Sequence, residues 1–290
     1  MTITVAGSTG TIGSALVQRL SAEGAPVRAV TRSLQKVRPL PHVAWVQANL
    51  GDEQLLEPVL AGTDQLFLLS GIEPGFGTLQ SNVIRAAERL GVKHVVKLSA
   101  LGASDHSKSG IAREHWDAEE VLRDTTLRWT ILRPHSFMQN MLYDIAASVR
   151  SEGVIHAAIG DGRVPFIDAR DVAAVAAETL LHPEAHEGRV YTLTGGVALG
   201  YADIAQAMTD VLGTPVSYNQ LSMDEARSRL EAVGLPSEAI DGILALAAYQ
   251  NAGGATERVY DTVENILGRV PSGIREFVMD YRESFERSPA

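Results

Sequence analysis

The chain opens with a short apolar run, Ile3-Thr-Val5, that breaks into three glycines spaced three apart, Gly7-Ser-Thr-Gly10-Thr-Ile-Gly13. A helical pattern follows at once, with Ala15, Leu16 and Leu20 as its apolar positions and Gly24 closing it. A strand that hands a glycine-rich turn to a helix N-terminus is how an α/β protein holds a diphosphate. Bare backbone N–H groups and the positive end of the helix dipole face the anion, and glycine lets the backbone come close. Gly7, Thr9, Gly10, Thr11, Ile12 and Gly13 are therefore the expected cradle of a dinucleotide-binding domain.

The next segment selects among dinucleotides. Pro26 to Arg32 reads as a second strand, whose C-terminal end should lie beside the adenosine ribose. An NAD site usually places Asp or Glu there for the 2′-hydroxyl, whereas an NADP site offers Arg to the 2′-phosphate. This chain has Thr31-Arg32-Ser33. A charge-assisted Arg–phosphate contact contributes about 1.5–3 kcal/mol, so NADPH is expected ahead of NADH. The alternative for Arg32 is an ordinary solvated loop charge.

Composition bounds the rest. At 290 residues the chain can bury a sizeable core, as one large domain or two lobes. The apolar runs are short and interrupted, and the N-terminus enters a strand without a basic flank, so neither a signal peptide nor a membrane segment is expected. Cysteine is absent, which removes disulfides, thiolate nucleophiles and Cys-based metal sites and fits a cytoplasmic protein. A formal charge of −10, with no Lys/Arg-rich stripe, argues against nucleic-acid binding. Only four lysines occur, Lys36, Lys93, Lys97 and Lys108, so each can be inspected for a catalytic role.

The first half alternates strand and helix. Val43–Ala48, Gln65–Leu69, His94–Ser99 and Arg128–Arg133 read as strands; Asp52–Ala61, Leu79–Leu90 and Arg113–Arg123 read as helices. This βαβ succession implies an α/β, Rossmann-type doubly wound parallel sheet. Ligand should then sit beyond the carboxyl ends of the strands, at the glycine turn, Arg32, Asn49, Leu50, Ser70, Gly71 and Ser99. The second half reads as mostly helical: Asp171–Leu181 with Asp171 as its N-cap, Tyr201–Leu212, a helix opened by a Ser222–Glu225 capping box, Asp241–Tyr249 and Ile274–Phe285, with one strand at Arg189–Thr194. A dinucleotide-binding domain over residues 1–150 and a smaller, mostly helical substrate lobe over 151–290 are expected, with some later segments returning to the sheet. His182-Pro-Glu-Ala-His186, with its proline and the following Gly188, reads as a loop and carries no expected metal site.

Several ordered pieces carry a resemblance: Val5–Gly13, Gly62–Ser70, Val95–Ala100, Trp129–Pro134 with Phe137 and Asn140, and Phe166–Val172. Together they resemble the NmrA-like group of atypical short-chain dehydrogenases/reductases, the circle of type-2 quinone oxidoreductases and triphenylmethane reductase. The resemblance covers nearly the whole chain and implies hydride transfer from NADPH to a planar conjugated acceptor. The chain departs from ordinary short-chain dehydrogenases, because no Tyr has a Lys four residues later. Where isoflavone-reductase-like relatives have a lysine before the Trp-Thr strand, this chain has His115, as quinone-reductase-like members do. Asn49-Leu50 stands where relatives often have Asp-Leu.

His115 is the candidate proton donor; the structural alternative is a helical His packed on Trp116 or paired with Glu119. Asn140 can bond a carboxamide or carbonyl, or be polar surface at a helix start. Ser99 is a nicotinamide-side contact or an ordinary strand-end hydroxyl. Phe76, His135 and Phe137 are candidate substrate contacts, and the Glu73–Gly77 loop shapes the substrate mouth or simply connects elements. The expected function is an NADPH-dependent oxidoreductase acting on a small molecule, with a homodimer as the candidate assembly. Two alternatives stand beside it: a non-catalytic NADP(H)-binding redox sensor that docks on a protein partner, and a biosynthetic reductase with one narrow substrate.

Overall fold

A computed structural model describes residues 1–286. The strands are β1 (Ile3–Val5), β2 (Val27–Thr31), β3 (Val43–Gln47), β4 (Gln65–Leu68), β5 (His94–Leu98), β6 (Arg128–Pro134), β7 (Val154–Ala157), β8 (Arg189–Leu193) and β9 (Ser217–Gln220). The helices are α1 (Thr11–Ala22), α2 (Leu56–Leu60), α3 (Phe76–Arg89), α4 (Gly110–Arg123), α5 (Met141–Asp144), α6 (Ala146–Glu152), α7 (Ala169–Leu181), α8 (Pro183–His186), α9 (Tyr201–Leu212), α10 (Met223–Ala232), α11 (Ser237–Asn251), α12 (Thr262–Leu267), α13 (Ile274–Asp280) and α14 (Arg282–Phe285).

Seven strands form one sheet in the order β3-β2-β1-β4-β5-β6-β8, every neighbouring pair parallel. Helices α2, α3 and α4 cover one face through Val59, Val83, Ile84, Ala118 and Leu122, packed on Leu66, Leu68, Val95 and Ile131. Helix α7 packs on α1 and on β4, β5 and β6. The central strands are thus covered on both faces, which is why they read as continuous apolar runs rather than alternating ones. The α/β, doubly wound expectation holds.

The chain divides into two compact units. The first comprises Met1–His135, Ala169–Leu193 and Thr262–Arg269; the second comprises Ser136–Asp168, Thr194–Asp261 and the described residues from Val270 on. The chain thus crosses between the units several times, first after His135 rather than near residue 150, and Ala169–Leu193 and Thr262–Arg269 belong to the first unit. The reason lies in the sheet. The outer edge of β6 would expose unpaired N–H and C=O groups, and Thr130–Pro134 pair with Arg189–Leu193 instead. The second unit is mostly helical, around a core that includes Ile155, Phe166, Ile204, Met208 and Phe277. It also holds a two-stranded parallel ladder of β7 and β9, whose four-residue strands are too short to show a period.

Three local readings change. Asp171 is not an N-cap: it lies inside α7, fully buried, and pairs with Arg269 at 2.6 Å. Helix α3 begins at Phe76 rather than Leu79, because the Glu114 carboxylate reaches across from α4 and accepts from the N–H of Gly75 at 3.3 Å and of Gly77 at 2.8 Å. Pro183–His186 form a short helix rather than a loop. The Ser222–Glu225 capping box forms as expected. No helix among the described residues is long and apolar enough to cross a membrane.

His94 locks β5 to its neighbours. Its ring is fully buried, with one nitrogen 2.9 Å from Gln65 and the other 2.9 Å from Thr130. Burial lowers its pKa to about 4, with the positive charge of Arg128 acting the same way. The unfolded chain takes up this proton below about pH 6.5, so between that pH and the folded value the unfolded state binds more protons. Stability is then full above the window and falls as pH drops through it, by about 3 kcal/mol at most. Urea midpoints measured from neutral pH downward should show the decline, and His94→Gln should flatten it.

Candidate active site

The turn between β1 and α1 is built by what it lacks. Gly7 has φ +67°, and a Cβ there would come within 2.8 Å of the Leu69 carbonyl oxygen. A Cβ on Gly13 would collide with the Gly7 carbonyl. Gly10 is the N-cap of α1 and has no side chain to satisfy the first-turn N–H groups, so these groups suit an external anion. Ser8 ties the turn to β2 by donating to the Val30 carbonyl at 2.6 Å. The residues present fit a dinucleotide diphosphate.

A cleft of about 500 Å³ opens beside this turn, lined by Gly7, Thr9, Gly10, Arg32, Asn49, Leu50, Ser70, Gly71, Glu73 and Phe76, among others. Most of the predicted cofactor residues are thus brought together. Ile12 and Gly13 lie buried behind the turn, Thr11 is exposed, and Ser99 does not line the cleft. Arg32 is exposed and sits 3.8 Å from the Glu73 carboxylate. Glu73 also folds over Gly71, where any Cβ would meet its carboxylate. Asn49 accepts from the Gly51 N–H at 3.1 Å through its carbonyl oxygen, which leaves its amide N–H groups to donate. Ser70 accepts from Gln80 at 2.9 Å, while the carbonyl oxygen of buried Gln80 has no hydrogen-bond partner among the described residues.

Behind the Phe76 wall is a buried polar cluster. His115 is 6% exposed and packs edge-on against Phe76, ring centroids 4.8 Å apart. Its Nδ1 lies 3.2 Å from Lys97 Nζ, and Lys97 is fully buried. One helical turn on, Glu119 is also fully buried. It accepts from Ser99 at 2.5 Å, from Arg123 at 2.7 Å and from Arg133 Nε at 2.9 Å, with a second, shorter bond from the Arg133 guanidinium. Burial pushes the Glu119 carboxyl up, but the hydrogen bonds of Arg133 and Ser99 and the charges of Arg133 and Lys97 outweigh it and leave it below the usual range. Burial, with Lys97 adding to it, lowers His115 to about 3, so its imidazole is neutral at physiological pH.

The structural alternative for His115 is corrected: its neighbours are Phe76 and Lys97, not Trp116 or Glu119. Arg123 and Arg133 lie over the Trp116 ring, at 5.0 and 5.7 Å from its centroid. Lys97, Glu119, Arg133 and Glu73 were not singled out as site residues. The signal for the first two was present: Lys97 and Ser99 are two apart on a strand, His115 and Glu119 four apart on the next helix, and each pair shares a face. Of the remaining candidates, His135 ends the first unit, buried, its N–H donating to the Leu193 carbonyl at 2.9 Å. Phe137 and Asn140 belong to the second unit, Phe137 bridging to Ile167 and Asn140 exposed at the end of a 3-10 turn.

A seven-stranded parallel sheet with this turn after β1 and an arginine after β2 defines a dinucleotide-binding protein of the Rossmann class. The NmrA-like family model matches residues 1–282, and the chain belongs to that family. It is 33% identical over 289 residues to an NAD(P)H azoreductase of Xenophilus azovorans, covering 98% of this chain and 99% of the relative. It is 34% identical over 287 residues to a (4-alkanoyl-5-oxo-2,5-dihydrofuran-3-yl)methyl phosphate reductase of Streptomyces griseus, covering 98% and 99%. The NADPH complex of the quinone oxidoreductase QOR2 of Escherichia coli superposes with a TM-score of 0.86 at 30% identity, covering 97% of this chain and 100% of that one.

Removing the central carboxylate tests the cluster. Glu119→Ala would leave Arg123, Arg133 and Lys97 as neighbouring cations without their shared anion. Because both arginines keep some contact with water, the expected loss is about 3 kcal/mol, the lower end for breaking a buried pair, read from urea denaturation.

Proposed function

We propose that this protein is an NADPH-dependent reductase that delivers a hydride to planar, conjugated, electron-poor acceptors of the quinone, azo or activated-enone type. The observation that carries the reading is the convergence of the glycine turn, Arg32, Asn49 and Ser70–Gly71 on one cleft of the first unit. Whole-length relatedness to NAD(P)H-dependent reductases supports the enzyme class. The acceptors in their names, azo, quinone and 4-alkanoyl-5-oxo-dihydrofuran, share a conjugated π-system that can take up two electrons, and this supports the substrate class.

Bound nicotinamide supplies the hydride; the chain supplies position and protons. The α1 N-terminus holds the diphosphate, Arg32 pairs with the 2′-phosphate in place of Glu73, and Asn49 donates to the adenine edge. His115 is the proton donor, and Phe76 and His135 of the same unit are assigned to acceptor recognition. The substrate is a small molecule. A homodimer and a cytoplasmic location belong to the same proposal, the latter supported by the cysteine-free sequence. A second reading, a reductase dedicated to one metabolite, is favoured by the 34% identity to the dihydrofuran phosphate reductase.

The test is NADPH oxidation with a panel of quinones, azo dyes and activated enones, alongside NADPH and NADH titrations. Turnover with members of several classes supports the broad reductase, turnover with a single enone supports the dedicated one, and tight NADPH binding with no turnover overturns both in favour of a sensor.

Cofactor preference gives a sharper prediction. Arg32→Glu should weaken NADPH by about 10- to 100-fold, the worth of a charge-assisted phosphate contact, and leave NADH little changed. Glu73→Gln removes the group that competes for Arg32. Since an exposed ion pair is worth about 0.2–1 kcal/mol, it should tighten NADPH by roughly 2- to 5-fold with NADH unchanged. Isothermal titration with each nucleotide reads both effects.

A further inference from the structure

We propose that Lys97 works through His115: it fixes the imidazole with its proton on Nε2 and replaces that proton once it has passed to the acceptor. The inference rests on the reading of His115 as the proton donor, and it makes Lys97 the positioning residue behind it.

The burial of Lys97 has no structural return that matches its cost. A lysine with no exposed surface should pair with an anion. Yet among the described residues its ammonium finds only the His115 Nδ1 at 3.2 Å and the Leu98 carbonyl at 3.4 Å. The nearby carboxylate, Glu119, is taken up by Ser99, Arg123 and Arg133. An ammonium is donor-only, so Nδ1 must accept and the imidazole proton must sit on Nε2. Nε2 has no hydrogen-bond partner among the described residues, and the ring it belongs to lies against Phe76, which lines the cofactor cleft.

Proton bookkeeping explains why a lysine is useful there. After hydride transfer the acceptor has gained two electrons and one proton and carries a negative charge. His115 stays neutral, and a neutral imidazole alone is a far weaker acid than a phenol. Coupling removes the obstacle. The Nε2–H bond breaks and its proton goes to the acceptor oxygen or nitrogen, while Nδ1 takes a proton from the Lys97 ammonium, leaving a neutral imidazole and a neutral amine. Reprotonation of Nε2 from solvent sends the Nδ1 proton back to Lys97, so each turnover consumes one solvent proton. The groups facing Lys97 are His115, Glu119 and Arg123 from α4 and Arg133 from β6. Burial lowers Lys97 most, Arg133 and Arg123 act the same way and Glu119 opposes them, leaving it at about 7. A phenol-like product has a pKa near about 10, so the net transfer runs downhill.

The experiment uses Lys97→Met, which keeps the length of the stem and removes a buried charge, beside His115→Phe and Lys97→Gln. Single-turnover oxidation of bound NADPH by menadione is followed from about pH 6 to about pH 9, across the range where a histidine or a perturbed lysine titrates. The tautomer of His115 is read by ¹⁵N NMR without acceptor at about pH 6, below the titration of Lys97, where its side chain is an ammonium. The wild-type rate should fall as pH rises through the Lys97 titration, and the NMR should place the proton on Nε2. Lys97→Met should lose about 10- to 100-fold in rate, at or below the lower end of a general-acid contribution, with a flat pH profile and a mixed tautomer. NADPH affinity should be unchanged. Lys97→Gln keeps a hydrogen-bond partner for Nδ1, either donor or acceptor, but cannot release a proton, so its rate should stay as low as that of Lys97→Met, and it carries the rate and pH readouts if Lys97→Met does not fold. A proton on Nδ1 in the wild type overturns the proposal. So does a wild-type rate and profile in Lys97→Met alongside a slowed His115→Phe, which leaves the reading of His115 intact. Wild-type rates in both variants overturn the reading of His115 and the proposal with it.

Discussion

The first unit is organised around one carboxylate without access to water. Glu119 lies where β5, β6 and α4 meet, and its two oxygens receive Ser99 from the end of β5, Arg133 from β6 and Arg123 from the following turn of α4. A buried carboxylate is tolerated only when its lone pairs are filled, so this arrangement fixes three elements at once. It sets the rotation of α4 about its axis, and with it the direction of His115 four residues earlier. It also holds two arginines against Trp116, which closes the outer side of the helix. Held in that direction, His115 is buried beside Lys97, and burial first and the neighbouring lysine second keep its imidazole neutral.

The cofactor cleft obeys a different constraint, the removal of side chains. Gly7 and Gly13 are required by close approach of the backbone to itself, and Gly10 by the need to leave the first turn of α1 without a cap of its own. The cleft also contains a fixed negative charge. Glu73 leans over Gly71 and towards Arg32, so the guanidinium that suits a 2′-phosphate already has a weak partner. Both side chains are largely exposed, and an ion pair of that kind is readily exchanged for a dianionic phosphate. On the proposed pairing of Arg32 with the 2′-phosphate, NADPH gains less than the full contact energy, and the discrimination against NADH is moderated by the same amount.

How far the sequence could be read depended on the range of the interactions. The central strands were legible because burial on both faces writes a continuous apolar run, and the glycine turn was legible because its spacing has a mechanical cause. The start of α3 was not, since Glu114 caps it from another helix. The extent of the first unit was only partly legible: a return of later segments to the sheet was expected, but the place of β8 beside β6 is a property of the sheet edge and not of any local pattern. The buried cluster was half legible. His115 stood out by its position before the Trp-Thr strand, but Lys97 passed as one lysine of four. Its place in the otherwise apolar run Val95-Val-Lys-Leu98 was the available clue, and it gains meaning only when the crossover from β5 to α4 sets it against His115.

The missing Tyr-x-x-x-Lys pair is consistent with the chemistry that the site can support. Reduction of a simple ketone leaves a localised alkoxide, a strong base that must be protonated as it forms, and that demands a strong, well-placed acid. Hydride addition to a quinone, an azo group or a doubly activated alkene spreads the new charge over a conjugated system. The anion is then only weakly basic, and a weak donor suffices. In the proposed relay the neutral imidazole of His115, backed by the Lys97 ammonium, is a donor of moderate strength, which suits such an acceptor. Because His115 carries no positive charge, the proposed relay favours acceptors that stabilise their own charge over isolated carbonyls.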